Sequence, residues 1–328
     1  MEQACAPTFR VRAFRTASAT LRALDPDDLL SRARQGRLRE LAGVGQATES
    51  VVVEALAGET PKYLTKLEEE LGVAADPGDE QSKAIRAALH GDCHVHSDWS
   101  DGGSPIDFMA AAAKALGHRY MVLTDHSPRL KVARGLSPER LREQLDLVAA
   151  LNEGLAPGFR ILTGIEVDIN EDGTLDQEDE LLGRLDVVVA SVHSKLRMEA
   201  REMTQRMVTA IANPHMDILG HCTGRLLTAR GRPESTFDAE RVFAACAATG
   251  TAVEINCRPE RLDPPLRLLH QAVAAGCEFS IDTDAHAPGQ LEWQPNGCAM
   301  AASAGVPLDR IVNTMPAGDL VAWTGSHR

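Results

Sequence analysis

From residue 91 to residue 328 the chain reads as an α/β barrel of parallel strands. Three observations predict this. Short β-branched runs alternate with helix-like segments, the pattern of strands joined by crossover helices. The alternation lasts long enough to close a barrel. Residues able to hold a metal ion stand at the C-terminal ends of the runs, where such barrels keep their reactive groups.

The elements follow in order. Gly91-Asp92-Cys93-His94-Val95-His96 ends in a His-x-His pair. Side chains alternate along a strand, so both imidazoles share one face and one ion can take both. Asp101 follows in the loop Ser97 to Gly102. Ser104 to Leu116 is predicted as a helix, with a serine cap, a proline at its first position and Gly117 as its stop. Tyr120-Met121-Val122-Leu123 is a second strand, leading to Thr124-Asp125-His126. Ser137-Pro138-Glu139 opens a helix to Leu151. Arg160 to Thr163 precedes Gly164-Ile165-Glu166, Asp186 to Val192 leads to His193, and Asp217 to Gly220 leads to His221. Glu278 to Thr283 runs into Asp284-Ala285-His286. A lone histidine would be read as a core residue, but this repeated placement points to a multinuclear metal site of hydrolytic type. Asp168-Ile169-Asn170-Glu171-Asp172-Gly173, with Asp176 and Asp179, nearly spells a calcium loop. Its twelfth position is Asp rather than Glu and a strand precedes it, so a hairpin turn is predicted instead.

Composition sets outer limits. With 328 residues and 44% hydrophobic content, one large and one small domain are expected. A net charge of −13 argues against broad coating of nucleic acid, yet residues 1–39 hold eight arginines against four acids, a net of +4. A local basic face of this kind can seat DNA. Seven cysteines without paired spacing, and no signal or membrane-spanning segment, predict a reducing cytoplasm and no membrane. In the N-terminal part, Leu41-Ala42-Gly43-Val44-Gly45-Gln46-Ala47-Thr48 reads as a glycine turn opening a helix. Backbone N–H groups at such a start can hold a phosphate, which makes Gly43 and Gly45 candidate binding positions.

From about Asp92 onward these residues resemble the PHP (polymerase and histidinol phosphatase) superfamily. The resemblance implies a distorted (β/α)7 TIM-like barrel around a trinuclear metal centre. His94, His96, Asp101, His126, Glu166, His193, His221, Asp284 and His286 fill all nine ligand positions of that family's pattern. The flanks Val187 to Ser194, Ile218 to Leu227, and Val253 to Asn256 with Pro259 to Leu262 are more similar to the C-terminal domain of bacterial family X DNA polymerases than to histidinol phosphatases. Cys222 is a departure, standing where those relatives usually have proline, and is read as a small buried hydrophobe. The glycine turn resembles a helix-hairpin-helix element, and Phe9 to Arg15 resembles the start of the small DNA-binding domain of the same polymerases. Ala42 stands where proline is usual, and Gln46 where a basic residue would add phosphate affinity. A linker around Leu71 to Glu80 and a helix from Gln81 to Leu89 leave no room for a polymerase core between the two parts. The expected organisation is therefore a small all-α helix-hairpin-helix domain at 1–72, a linker and connecting helix at 73–90, and the barrel at 91–328.

By this resemblance His94, His96, Glu166 and Asp284 would hold one ion, and Glu166 would bridge to a second ion held by His193 and His221. Asp101, His126 and His286 would hold the third. Mixed histidine and carboxylate ligation suits zinc, manganese or iron. Adjacent cations lower the pKa of water to give a hydroxide nucleophile and neutralise phosphoryl charge, which puts Glu166 and Asp284 in catalytic roles. Arg225, four residues past His221, is the first candidate for a phosphate clamp, because a planar guanidinium grips two oxygens. Arg258 and Lys195 are further candidates. The expected activity is that of a metal-dependent phosphoesterase, a DNA 3′–5′ exonuclease or 3′-end processing enzyme in DNA repair that binds DNA through residues 1–72. The alternatives are a small-molecule phosphatase of the histidinol phosphate or nucleotide type, and a DNA-binding scaffold with structural metals.

Overall fold

The structure is a computed structural model that describes all residues except 5, 7, 73–78, 156, 229–230 and 327–328. The chain divides into two compact units, Met1–Pro77 and Gly78–Arg328. The expected linker falls largely on residues 73–78, outside the described residues.

Among the described residues the first unit contains four α-helices, α1 (Thr8–Arg22), α2 (Pro26–Arg34), α3 (Gln46–Leu56) and α4 (Lys62–Gly72). Asp25 caps α2 by accepting the Asp27 amide at 2.8 Å. Ala17, Leu38 and Val44 form a small core, flanked by Leu21, Leu29, Leu41 and Val52. Between α2 and α3 the chain turns at Gly43, whose φ is +80°. A Cβ there would stand 2.5 Å from Thr16 Cγ2, so both the backbone angle and the packing require glycine. Gly45 then caps α3, its amide donating to Thr48 Oγ1 at 2.9 Å.

The second unit opens with α5 (Glu80–Ala88), capped by Asp79, which accepts the Ser82 amide at 2.8 Å. Its strands are β1 (Gly91–Val95), β2 (Tyr120–Leu123), β3 (Arg160–Asp168), β4 (Val187–Ser191), β5 (Ile218–Leu219), β6 (Ala252–Asn256) and β7 (Phe279–Asp282). They lie in sequence order and each pairs in parallel with the next. Val95 pairs with Ala285 just beyond β7, which brings the first and last strands together. The fold is thus the seven-stranded barrel expected.

The crossovers carry α6 (Ile106–Ala115), α7 (Pro138–Gly154), α8 (Asp179–Leu182), α9 (Ala200–Ile211), α10 (Ala239–Thr249) and α11 (Leu266–Ala275), followed by α12 (Gln294–Ala304) and α13 (Ala317–Gly325). Ser137 caps α7 as expected, accepting the Arg140 amide at 3.3 Å, with Pro138 at the first position. The start of α6 differs. Pro105 occupies the cap position, and the expected cap Ser104 instead accepts the Asp98 amide on its carbonyl at 2.9 Å, tying down the preceding loop. The segment expected as a connecting helix, α5, packs against α12 of the same unit. The calcium-like segment is a hairpin turn, with Ile169 bridging Leu175 and the Asn170 amide donating to Thr174 O.

A larger core lies between strands and helices. A second cluster takes Cys93, Tyr120, Val122, Leu162, Val187, Val189, Ile218 and Ala252 from six successive strands and plugs the barrel interior. Val312 and Leu320 cover it from the end where β1 begins, where the His90 amide bonds to Asn313 O at 2.8 Å. Apolar packing thus fills one end of the barrel, and polar side chains collect at the other.

Candidate metal centre

All nine residues expected as ligands converge at the C-terminal ends of the strands, linked by N···O separations no longer than 4.0 Å. Glu166, only 1% exposed, is the hub. It lies within β3 rather than past its end, so its orientation is fixed by sheet pairing. Its Oε1 stands 3.1 Å from His193 Nε2 and 2.8 Å from His221 Nε2. Its Oε2 stands 3.4 Å from His94 Nε2, 3.5 Å from His96 Nε2 and 2.8 Å from His126 Nδ1. Asp284 Oδ1 is 3.4 Å from His96 Nε2 and 4.0 Å from His94 Nε2. Farther out, Asp101 Oδ1 is 3.6 Å from His126 Nε2 and 3.3 Å from His286 Nε2.

The donors fit divalent cations. His94 Nε2, His96 Nε2 and Glu166 Oε2 are buried without a hydrogen-bond partner among the described residues, an arrangement that is costly unless a cation is shared between them. His96, Asp101, His126 and His286 offer ligand atoms all within 4.8 Å of one another, as do His94, His96 and Glu166, and likewise His126, Glu166 and His193. Electrostatics keeps most of these groups in the ligating form. Burial raises the pKa of Glu166, but the histidines 193, 126 and 94 outweigh it and hold the carboxyl well below its usual range. Asp284 is held low in the same way, against its burial, by Arg258, His94, His96 and Arg261. Burial, with His286 and His126 alongside, pushes His96 down to about 3, so it is neutral. His193 is pushed up to about 9, its burial outweighed by Glu166 and Asp168.

Several residues that sequence reasoning did not single out support this centre. Glu254, fully buried on β6, places Oε1 2.5 Å from His94 Nδ1 and accepts the His221 amide on Oε2. Such a carboxylate behind an imidazole fixes which ring nitrogen faces the ion. Asp168 accepts the His193 amide at 3.1 Å. Arg206, buried on α9, donates to the carbonyls of Ile169, Asn170 and Ser194, joining the loops after β3 and β4. Among the described residues four non-glycine residues have positive φ, and all lie in loops on this side of the barrel: Arg134 (+58°), Lys195 (+53°), Leu262 (+45°) and Asp284 (+51°). Strained backbone of this kind gathers where a site dictates the geometry.

The expected phosphate clamp has other partners. Arg225 donates through Nε to Arg261 O at 2.8 Å and through Nη2 to Leu262 O, with Glu234 at 3.6 Å. Gly224, at φ +61°, turns the chain between His221 and Arg225. The arginines beside the centre are Arg258, with Nη1 3.6 Å from Asp284 Oδ1, and Arg261, with Nε 3.3 Å from Asp284 Oδ2. Lys195 is exposed, Gly43 and Gly45 belong to the first unit, and Cys222 is buried with Sγ 3.8 Å from Asp263 Oδ1.

A profile of the PHP domain matches residues 92–258, just over half of the chain. The chain belongs to the PHP domain family. Among curated PHP relatives it is 39% identical over 235 residues to the DNA polymerase/3′-5′ exonuclease PolX of Bacillus subtilis (strain 168), a match covering 72% of this chain and 41% of that protein. The chain thus spans well under half of that relative's length. It is 27% identical over 238 residues to a probable phosphatase of Thermoanaerobacter sp. (strain X514), covering 68% of this chain and 89% of the relative. A solved structure of histidinol phosphate phosphatase from Lactococcus lactis, with zinc, L-histidinol and phosphate, superposes at a TM-score of 0.46 and 19% identity, over 66% of this chain and 94% of that one. This PHP protein is a metal-dependent phosphoesterase. No helix among the described residues is long and apolar enough to cross a membrane.

Proposed function

We propose that the protein is a DNA 3′–5′ exonuclease or 3′-end processing phosphodiesterase of DNA repair, working with three divalent cations of zinc, manganese or iron. The observation that carries the catalytic part is the division of the Glu166 carboxylate, one oxygen facing His193 and His221 and the other facing His94 and His96. A carboxylate so placed suits two neighbouring ions, one completed by Asp284. Asp101, His126 and His286 suit a third. Bound there, the cations would lower the pKa of water toward neutrality and neutralise charge on the phosphoryl oxygens.

The chain's own groups do the rest. Glu166 and Asp284 stay ionised and fix the geometry, and Glu254 holds His94 with Nε2 toward the ions. Arg258 stacks over Trp293, its Cζ 5.7 Å from the ring centroid, beside Asp284 and His286, where a guanidinium can grip a phosphoryl oxygen. Arg225 acts one step back, fixing the loop that carries Arg258 and Arg261.

The DNA substrate is supported by the PolX relative and by the first unit. In that unit the turn at Gly43 and Gly45 leads into the start of α3, which we read as a helix-hairpin-helix element whose first amides would take a backbone phosphate. The test is hydrolysis by manganese-loaded protein of 5′-labelled single-stranded and gapped DNA, beside histidinol phosphate and an aryl phosphate, with Asp284→Ala as control. A metal-dependent ladder of shortened DNA that vanishes in the variant is expected. Fast turnover of the small phosphates with DNA left intact would replace this reading by a small-molecule phosphatase. Metal binding without hydrolysis of any of them would leave a scaffold with structural metals.

A further inference from the structure

Five hydrogen bonds converge on one carboxylate outside the ligand set. Asp125 is fully buried. Its Oδ1 accepts the amides of Ser97 at 2.9 Å and Ser100 at 3.2 Å and the Ser100 hydroxyl at 2.5 Å. Its Oδ2 accepts the Ser97 hydroxyl at 2.6 Å and Gln144 Nε2, from α7, at 2.7 Å. These donors are all neutral, and together they satisfy the lone pairs that burial removes from water.

Ser97 and Ser100 belong to the loop between His96 and Asp101, while Asp125 directly precedes His126. The same loop is drawn tight on itself. The Gly102 amide bonds to Ser97 O at 2.9 Å, and a Cβ at Gly102 would stand 2.5 Å from that oxygen. Asp101 is the most open of the nine expected ligands, its side chain 37% exposed. Packing therefore does little to place it, and loop conformation does most.

We propose that Asp125 is the positioning residue that sets the occupancy of the outer cation pocket formed by Asp101, His126 and His286, while the inner pair around Glu166 does not depend on it. This rests on the reading of that pocket as a metal site. An acceptor-only group is required at this place. An amide would turn one oxygen into an NH2 facing either the Ser97 hydroxyl and Gln144 or the Ser97 and Ser100 amides, and the loop carrying Asp101 would shift.

The experiment is metal content per chain after manganese loading and washing with increasing chelator, for wild type, Asp101→Asn, Asp125→Asn and the double variant. Both single variants are expected to release one equivalent at chelator levels about ten-fold or more below wild type, with the remaining ions retained. The double variant is expected to lose nothing beyond Asp101→Asn alone. A general loss of packing would not select one equivalent or produce this non-additivity. Gln144→Leu keeps the carboxylate and removes one donor from outside the loop, so it should shift the same equivalent in the same direction by less, and it decides the matter if Asp125→Asn does not fold. Wild-type loading of a folded Asp125→Asn overturns the proposal, as does loss of inner and outer ions together with Gln144→Leu unchanged. If Asp101→Asn leaves the metal content of wild type, the outer pocket is not a metal site and the proposal falls with that reading.

Discussion

Replacing Glu254 by glutamine tests whether the centre depends on carboxylates that touch no ion. Its two oxygens face two donors, His94 Nδ1 at 2.5 Å and the His221 amide at the same distance, and Asn256 Nδ2 adds a third at 3.3 Å. When His94 Nε2 faces a cation, Nδ1 carries the proton, so Glu254 meets donors only. Glutamine has one acceptor oxygen. Whichever way its amide turns, one charge-assisted hydrogen bond is lost, worth about 1.5–3 kcal/mol, and a donor is set against a donor. The loss falls on a ligand of the inner pair, so metal affinity there should drop roughly 10- to 100-fold, the range found when such supporting groups are removed. The assay is competition with a chelator of known affinity, read as a dissociation constant rather than as a melting temperature, so that folding effects do not enter. A Glu254→Gln protein that holds its most tightly bound ions as wild type does would refute the reasoning.

Three further outcomes are expected. His193, pushed up to about 9, carries a proton at pH 7 until a cation displaces it, so titration calorimetry in buffers of different ionisation enthalpy should show protons released on metal binding; buffer-independent heats would contradict this. His118, 3% exposed, is pushed down to about 4 by burial and by Arg86. It stays neutral in the fold while the unfolded chain binds a proton below about 6.5, so its contribution is intact above that pH and declines as pH falls toward 4, by about 3 kcal/mol at the limit. His118→Gln should flatten that slope in denaturant melts with chelator present, and an unchanged slope would exclude it. Gly43→Ala, at φ +80° and against Thr16, should destabilise the first unit by about 1–2 kcal/mol and weaken DNA binding while aryl phosphate turnover is retained; unchanged DNA binding would remove the glycine turn from the interface.

Most of the ligands were legible because they close strand-like runs, and strand ends are where a parallel barrel exposes side chains; Asp101 lies in the loop after β1 and Glu166 within β3. Glu254 and Asp125 were not singled out, for a physical reason. In Ala252–Asn256 an acid alternates with apolar residues, which in a half-exposed strand would mark the solvent face, yet every residue of β6 is buried. With helices packed on the outside, the alternate acid must point into the barrel, and that was the signal available for Glu254. Asp125 lies just beyond β2, where its partners are serines from another loop that only the fold brings near. Arg225 was named from its spacing to His221, and that spacing says nothing of its partners, the Arg261 and Leu262 carbonyls, which only the fold brings to it. Ser104 was read as a cap because its type and spacing were right, but its carbonyl holds the Asp98 amide and the helix starts after Pro105.

The joining of β1 to the segment beyond β7 also fixes when the centre comes into being. Thr283 and Asp92 are hydrogen-bonded across 191 residues, and the pocket shared by His94, His96 and Asp284 lies over that seam. A nascent chain leaving the ribosome carries His94 and His96 long before Asp284 is made. The pair alone offers two nitrogens without the carboxylates of Glu166 and Asp284. The complete ligand set therefore exists only once the last strand has closed the barrel against the first.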